Sequence, residues 1–227
     1  MTVKNNTKDQ KITMQRVVQK PRLTVDLQTL ADLGVQRSYR KGSIIVNEGE
    51  IGDALYILIQ GRVRVFSADT SGKEITLGTI LAGDFFGEMS LDGGSRSATV
   101  EALEPCLCAA VPNSHVLAFV RESSCFAISL LQTTIVRARA ATQAARDMAL
   151  LDVYGRLAQT LNHLAKVTVE DNTPKTIDPI ITHAELAAHV GASREMVSKL
   201  MKDLERGGYL QVSTRQITLL KKLPAKW

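Results

Sequence analysis

The chain has 227 residues, 44% of them apolar, and a mean hydropathy of −0.01, the composition of a globular protein of one or two domains. No apolar run approaches the ~20 residues that cross a bilayer, so no membrane segment is expected. The net charge of +5 is unevenly placed: residues 1–24 are basic, 25–151 net acidic and 152–227 net basic, which points to a polyanionic partner at the C-terminal end.

Residues 1–24 hold Lys4, Lys8, Lys11, Arg16, Lys20 and Arg22 against Asp9 alone, with no apolar block behind them. They read as a flexible extension and not as a secretory signal. The three cysteines, Cys106, Cys108 and Cys125, are an odd number in apolar surroundings, as buried free thiols of a reducing cytoplasm would be.

A short helix is expected over Asp26–Leu33, stopped by Gly34. From about Tyr39 to Val111 short β-rich runs alternate with turn signals: Ser43–Asn47, Ala54–Ile59, Val63–Phe66, Glu74–Ile80, Ser97–Ala102 and Cys106–Val111. Glycines at 42, 49, 52, 61, 72 and 83 punctuate them, a spacing that predicts a β-barrel or sandwich. Between two of these runs lies Phe85-Phe86-Gly87-Glu88-Met89-Ser90-Leu91-Asp92-Gly93-Gly94-Ser95-Arg96-Ser97-Ala98-Thr99-Val100. Glycine lets backbone approach an anion, and successive turn amides can form a nest for one. Arg96 can add a planar fork to a phosphate, and Glu88 can accept from a sugar hydroxyl. Residue types alone fit a pocket for a phosphorylated ribose and a solvated hairpin loop equally well.

Ser114–Arg121 reads as a short helix and Phe126–Leu151 as a long one without Pro or Gly. Leu131, Ile135, Ala138, Thr142, Ala145 and Ala149 recur along it in steps of four and three. That spacing fits a seam against another helix, hence a homodimer, or a helix lying on its own barrel. Arg137, Arg139, Arg146 and Asp147 share this helix and form either a solvated face or contacts to a guanine-bearing cyclic dinucleotide. Asp152 caps the next helix, Tyr154–Val167, and a loop is expected over Glu170–Pro179.

Thr182 and Glu185 form a capping box, Gly191 ends that helix and Ser193 caps another. Two short helices around one glycine form a helix-turn-helix, although periodicity alone also allows a plain helical hairpin. Val197, Leu200, Met201 and Leu204 are expected to face inward, with Arg194, Glu195, Ser198 and Lys199 toward the other face. Arg and Lys can donate to guanine, and Glu can accept from cytosine. Tyr209–Val212 and Gln216–Leu220 around Ser213-Thr214-Arg215 read as a wing hairpin, with Arg215, Lys221 and Lys222 as phosphate contacts.

Two motifs carry a resemblance. Phe86-Gly87-Glu88-Met89-Ser90-Leu91-Asp92-Gly93-Gly94-Ser95-Arg96-Ser97-Ala98-Thr99-Val100 resembles the phosphate-binding cassette of cyclic-nucleotide-binding domains, with a slightly shorter run from Glu88 to Arg96. Ser193-Arg194-Glu195-Met196-Val197-Ser198-Lys199 resembles the recognition helix of the CRP/FNR family of transcription regulators, with Lys199 in place of its second arginine. The resemblance spans about residues 25–222 and implies an α+β fold. Its parts are a double-stranded β-helix (jelly roll) cyclic-nucleotide-binding domain at 25–125, a dimerisation helix at 126–151 and a winged helix-turn-helix domain at 152–227.

The resemblance further implies a cyclic nucleotide effector, cyclic AMP by motif with cyclic di-GMP as the alternative, held by Gly87, Glu88, Met89, Ser90, Arg96, Ser97, Ala98, Arg137 and Thr142. Glu88 would hold the ribose 2′-hydroxyl, and Arg96 with Ser97 the cyclic phosphate. Ala141 falls where the family's cyclic AMP receptor has a base-contacting threonine, and Thr142 at the neighbouring serine. Double-stranded DNA with palindromic TGTGA-like half-sites would meet Thr182, Ser193, Arg194, Glu195, Ser198, Lys199 and Arg215. RNA polymerase is a further partner of such a cytoplasmic regulator. Absence of cysteine from the first 24 residues disfavours the family's iron–sulfur variant, and no metal spacing links the histidines to the cysteines. No nucleophile–base–acid set marks an enzyme. A sensing module whose C-terminal helices contact protein instead of DNA is the rival of a different class.

Overall fold

The computed structural model describes residues 23–165, 174–177, 181–213 and 216–224. The basic extension up to residue 22, the end of the expected helix at Val167, most of the Glu170–Pro179 stretch and the wing tip with Arg215 lie outside them.

Helix α1 (Val25–Asp32) starts where Thr24 Oγ1 accepts from the Leu27 amide, and it buries Leu27, Leu30 and Ala31. Eight strands follow: β1 (Val35–Tyr39), β2 (Ile44–Val46), β3 (Ala54–Gln60), β4 (Arg62–Ala68), β5 (Glu74–Leu81), β6 (Phe85–Phe86), β7 (Thr99–Ala102) and β8 (Cys106–Pro112). They form two antiparallel four-stranded sheets, β1-β8-β3-β6 and β2-β7-β4-β5. Between the sheets lies a core of Val46, Tyr56, Leu58, Val63, Ile80, Phe86, Val100, Cys106 and Cys108. The outer face of the first sheet is covered by helices over Leu55, Ile57, Phe85, Ala109 and Val111. Strand β3 is thus buried on both faces, which is why Ala54–Ile59 is a nearly continuous apolar run instead of an alternating one. Strand β1 was not expected: its residues Val-Gln-Arg-Ser-Tyr are mostly exposed, and as an edge strand it needs no apolar stripe to pair with β8.

Helix α2 (Asn113–Glu122) leads into α3 (Ser124–Leu150), a 27-residue helix capped by Ser123. Within α3 only Phe126 is buried; Leu131 is 59% and Ile135 42% exposed. A helix of this length therefore leaves an apolar stripe in solvent. Cys125 is exposed beside Phe126, contrary to the expectation of three buried thiols, because Phe126 takes the inward position. Cys106 and Cys108 are buried, and burial pushes the Cys108 thiol up to about 12, so both act as packing residues.

Asp152 caps α4 (Val153–Leu164), accepting from the Gly155 amide at 2.7 Å. Helices α5 (His183–Val190) and α6 (Arg194–Arg206) enclose Gly191, whose φ of 63° is the left-handed conformation that ends α5. The Thr182–Glu185 capping box is present, with Thr182 N donating to Glu185 Oε2 at 2.6 Å. Val197, Met201 and Leu204 are buried and Leu200 half-buried against α4 and α5. The wing is a three-stranded sheet, β10 (Leu210–Ser213), β11 (Gln216–Leu219) and β9 (Lys175–Ile177). Strand β9 corrects the expected loop over Glu170–Pro179. Three residues between prolines carry no period, and only Ile177 reaches the core, so the pairing partner β11 decides the conformation.

Candidate ligand pocket and DNA-reading surface

The cassette is organised by a buried cation. Strand β6 ends at Gly87 (φ 87°), the chain turns through a 3-10 segment at Glu88–Ser90, and Arg96 returns beneath it. Arg96 is 6% exposed. Its Nη1 donates to Gly87 O at 3.0 Å and to Ser90 Oγ at 2.8 Å, and its Nη2 donates to Ala54 O at 2.7 Å. Ser90 Oγ in turn donates to Gly87 O at 2.9 Å. Both ends of the arginine backbone are fixed, since Arg96 N donates to Glu50 O and Gly49 N donates to Arg96 O.

The close fit requires two glycines: a Cβ on Gly52 would stand 2.2 Å from Ser90 Oγ, and one on Gly87 would stand 2.5 Å from Arg96 Nη1. Three neutral oxygens thus orient the guanidinium, and among the described residues no carboxylate pairs with it. Nε–H and the second Nη2–H share one edge of the plane, the pair that grips a phosphate bidentately. A buried positive charge compensated only by dipoles favours an anionic ligand.

Glu88 stands on the same turn with its side chain 10% exposed, and α3 supplies its partner. Arg137 Nη1 meets Glu88 Oε2 at 2.8 Å, while Nη2 meets Asp84 Oδ2 at 3.1 Å and donates to Phe85 O at 2.7 Å. Arg137, Glu88 and Arg96 therefore share one cassette. Met89 and Ser97 lie at its exposed rim, where Ser97 Oγ donates to Met89 Sδ at 3.1 Å, and Ala98 is buried behind them.

Thr142 is placed elsewhere. Its Oγ1 donates to Ala138 O at 3.0 Å, and it lines a shallow groove of about 410 Å³ on the exposed face of α3 with Ile135, Arg139 and Arg146. Asp147, expected beside these arginines, is taken by Gln143 at 2.8 Å.

On α6 the residues Arg194, Glu195 and Lys199 are exposed and Ser198 half-exposed. Glu195, Ser198 and Lys199 line one open groove with Lys202, Asp203 and Arg206, at the helical spacing that the sequence predicts. Thr182 and Ser193 spend their oxygens as helix caps, accepting from Glu185 N and Met196 N at 3.2 Å each. Lys221 Nζ donates to Gly207 O at 3.2 Å and lies over the Tyr209 ring, whereas Lys222 is exposed.

Comparison with known proteins finds a family for each of the two domains. Residues 36–123 match the cyclic nucleotide-binding domain family and residues 155–223 the Crp-like helix-turn-helix domain family. The cAMP-activated global transcriptional regulator CRP of Pasteurella multocida is 35% identical over 169 residues, 74% of this chain and 81% of that protein. The chain belongs to the CRP/FNR family of transcription regulators. The cAMP-activated regulator Vfr of Pseudomonas aeruginosa is 32% identical over 81% of this chain and 88% of its own length. Among solved structures, the c-di-GMP responsive regulator CLP of Xanthomonas campestris shares the fold, with a TM-score of 0.72 at 22% identity over 86% of this chain and 97% of that one.

Sequence reading of this CRP/FNR regulator missed the groups that hold Arg96 from behind. Ala54 O is a backbone acceptor and leaves no trace in residue identity. Asn113, at the start of α2, donates to Gly52 O at 3.1 Å and Ser90 O at 3.0 Å, tying the barrel wall to the cassette from 61 and 23 residues away. No local signal marks it. Asp84, one residue before β6, could have been suspected only as an acid preceding the cassette. Arg139 and Arg146 stay on the outer face of α3, apart from the cassette. No group of three His, Cys, Asp or Glu residues among those described could hold a metal, and no single described helix is long and apolar enough to cross a membrane.

Proposed function

We propose that this regulator acts as a homodimer whose barrel takes a cyclic mononucleotide, cyclic AMP by its cassette, and so sets how two α6 helices meet palindromic DNA. The observation that carries the reading is the buried, carboxylate-free Arg96, whose remaining donor edge suits one cyclic phosphate. Gly87, Ser90 and Ala98 shape the site, Met89 and Ser97 rim it, and Glu88 accepts from the ribose hydroxyl while Arg137 holds Glu88 in place. The apolar stripe of α3 supports pairing of two copies, and Thr142, exposed on α3, contacts the nucleotide base.

The division of labour is 25–125 for sensing, 126–151 for pairing and 152–227 for DNA. Arg194 and Glu195 read a TGTGA-like half-site, Ser198 and Lys199 add to it, and Thr182, Ser193 and Arg215 serve the backbone contacts. Two such helices one DNA turn apart fit a palindrome. The protein works in the cytoplasm without turning over its ligand, with RNA polymerase as its downstream partner.

Calorimetry with cyclic AMP, cyclic GMP and cyclic di-GMP, paired with a DNA-shift titration, tests this. Cyclic AMP is expected to bind and to raise DNA affinity; nucleotide binding without any change in DNA affinity would sink the regulated part. The second reading, cyclic di-GMP, is favoured by the α3 groove, where Arg139 and Arg146 stand exposed seven residues apart. Arg96→Ala would then abolish cyclic mononucleotide binding and spare the dinucleotide.

A further inference from the structure

One hydrogen bond joins the two helices of the DNA-reading unit. His183, the first residue of α5, places Nδ1 3.0 Å from Ser198 Oγ, in the second turn of α6. Ser198 lies in the groove lined by Glu195, Lys199 and Lys202, the outer face of α6. A serine hydroxyl has one hydrogen and two lone pairs and ordinarily rotates to suit its partner, so alone it reads donors and acceptors on a base edge equally. A fixed neighbour on one side removes that freedom. When the hydroxyl donates to Nδ1, its lone pairs are what remains for the major groove, and the ring hydrogen sits on the far nitrogen, Nε2.

We infer that His183 is a specificity-positioning residue: its Nδ1 accepts the hydrogen bond of the Ser198 hydroxyl, leaves the serine lone pairs to face the groove and so makes Ser198 selective at one base pair. The inference rests on α6 reading bases, as proposed above. His183 itself need not touch DNA. The chemistry recognised is an exocyclic amino group, adenine N6 or cytosine N4, since only these donate in the major groove. The reach of His183 to Ser198 follows from local geometry. The Thr182–Glu185 box fixes the first turn of α5, Ser193 fixes the first turn of α6, and the left-handed Gly191 sets the angle between them.

The test is a binding selection from duplexes randomised across one half-site, using the full chain with cyclic AMP present and absent. Ser198→Ala is expected to relax the preference at a single base pair by roughly tenfold, within the range for one good base contact. His183→Phe, which keeps a ring and removes the acceptor, is expected to relax the same base pair and no other. The double variant should match Ser198→Ala, because both changes remove one device. His183→Asn offers an amide oxygen close to the Nδ1 position and should restore the preference.

A His183→Phe protein that loses affinity equally for all sequences, or shifts preference at a different base pair from Ser198→Ala, would overturn the inference. So would His183→Asn behaving like His183→Phe while circular dichroism and melting match the parent. Arg194→Ala serves as the separate check on α6: if it changes no base preference, base reading by α6 itself has failed, whatever His183 does.

Discussion

The two candidate surfaces of this regulator use arginine in opposite ways. In the barrel, Arg96 is immobilised before any ligand arrives, with three donors spent on Gly87 O, Ser90 Oγ and Ala54 O. On α6, Arg194 is exposed and tied to nothing in the surrounding fold among the interactions described. A buried, preorganised cation offers one geometry to one anion, so affinity comes from loss of little side-chain entropy and from a low local dielectric. An exposed cation must search, and it gains specificity only from the pattern of its neighbours. The first arrangement suits a small ligand of fixed shape, the second a long polymer on which wrong sites greatly outnumber right ones.

Arg96→Ala is the sharpest way to break the contrast. Removing the charge and its remaining donor edge should lower cyclic mononucleotide affinity by at least about 100-fold, read by calorimetry, since charged hydrogen bonds are worth roughly 1.5–3 kcal/mol each. Arg96→Lys should recover only a small part, because an ammonium cannot span the same oxygens in a plane. Gly52→Ala tests the preorganisation itself. Its Cβ would collide with Ser90 at 2.2 Å, and overpacking of this kind costs about 1–3 kcal/mol, visible as a fall of several degrees in melting temperature.

Arg194→Ala probes the exposed side of the comparison. It should cost about 1–3 kcal/mol of DNA affinity at one base pair, by gel shift, with melting unchanged. Equal loss of stability would mean that Arg194 is structural. Glu88→Gln should weaken nucleotide binding by about tenfold and leave the base preference of α6 untouched, provided the Arg137 contact persists through its bonds to Asp84 and Phe85 O.

The smallest effect concerns His189, half-buried at the end of α5. Burial first, and then Arg64, lowers its proton affinity in the folded state, with Glu185 opposing. The unfolded chain therefore binds the proton more readily. The stability that His189 contributes is complete above the usual histidine value of about 6.5 and falls as pH drops below it. Melting followed from pH 8 to pH 5.5 should show this decline, and His189→Gln should flatten it.

Much of this was legible because the relevant signals are local. The α5 capping box, Ser193, Gly191 and the inward stripe of α6 are all set by neighbours within a few residues, and each has the conformation expected of it. Strands β3, β4 and β5 announced themselves by apolar runs between glycines. Strands β1 and β9 did not, because both are short and owe their shape to a partner far along the chain, β8 and β11. The cassette was readable as a list of residues, but the capture of Arg96 by Ala54 O and the support from Asn113 were not. Those bonds run between backbone atoms or cross long sequence separations, where residue type says little. Cys125 failed for a simpler reason: apolar neighbours in sequence are not neighbours in space on a helix.

Helix α3 also has a consequence for timing. One stiff rod carries Arg137, clamped onto the Glu88 turn, and Met148, whose Sδ and Cε rest against Gly191 at the joint between α5 and α6. The eleven helical steps between them span about 16 Å. A displacement of Arg137 by a fraction of an ångström reaches Gly191 without any intervening loop to absorb it. Arrival of a messenger and reorientation of the reading helices should then be a single kinetic event, with no intermediate in which one has moved and the other waits.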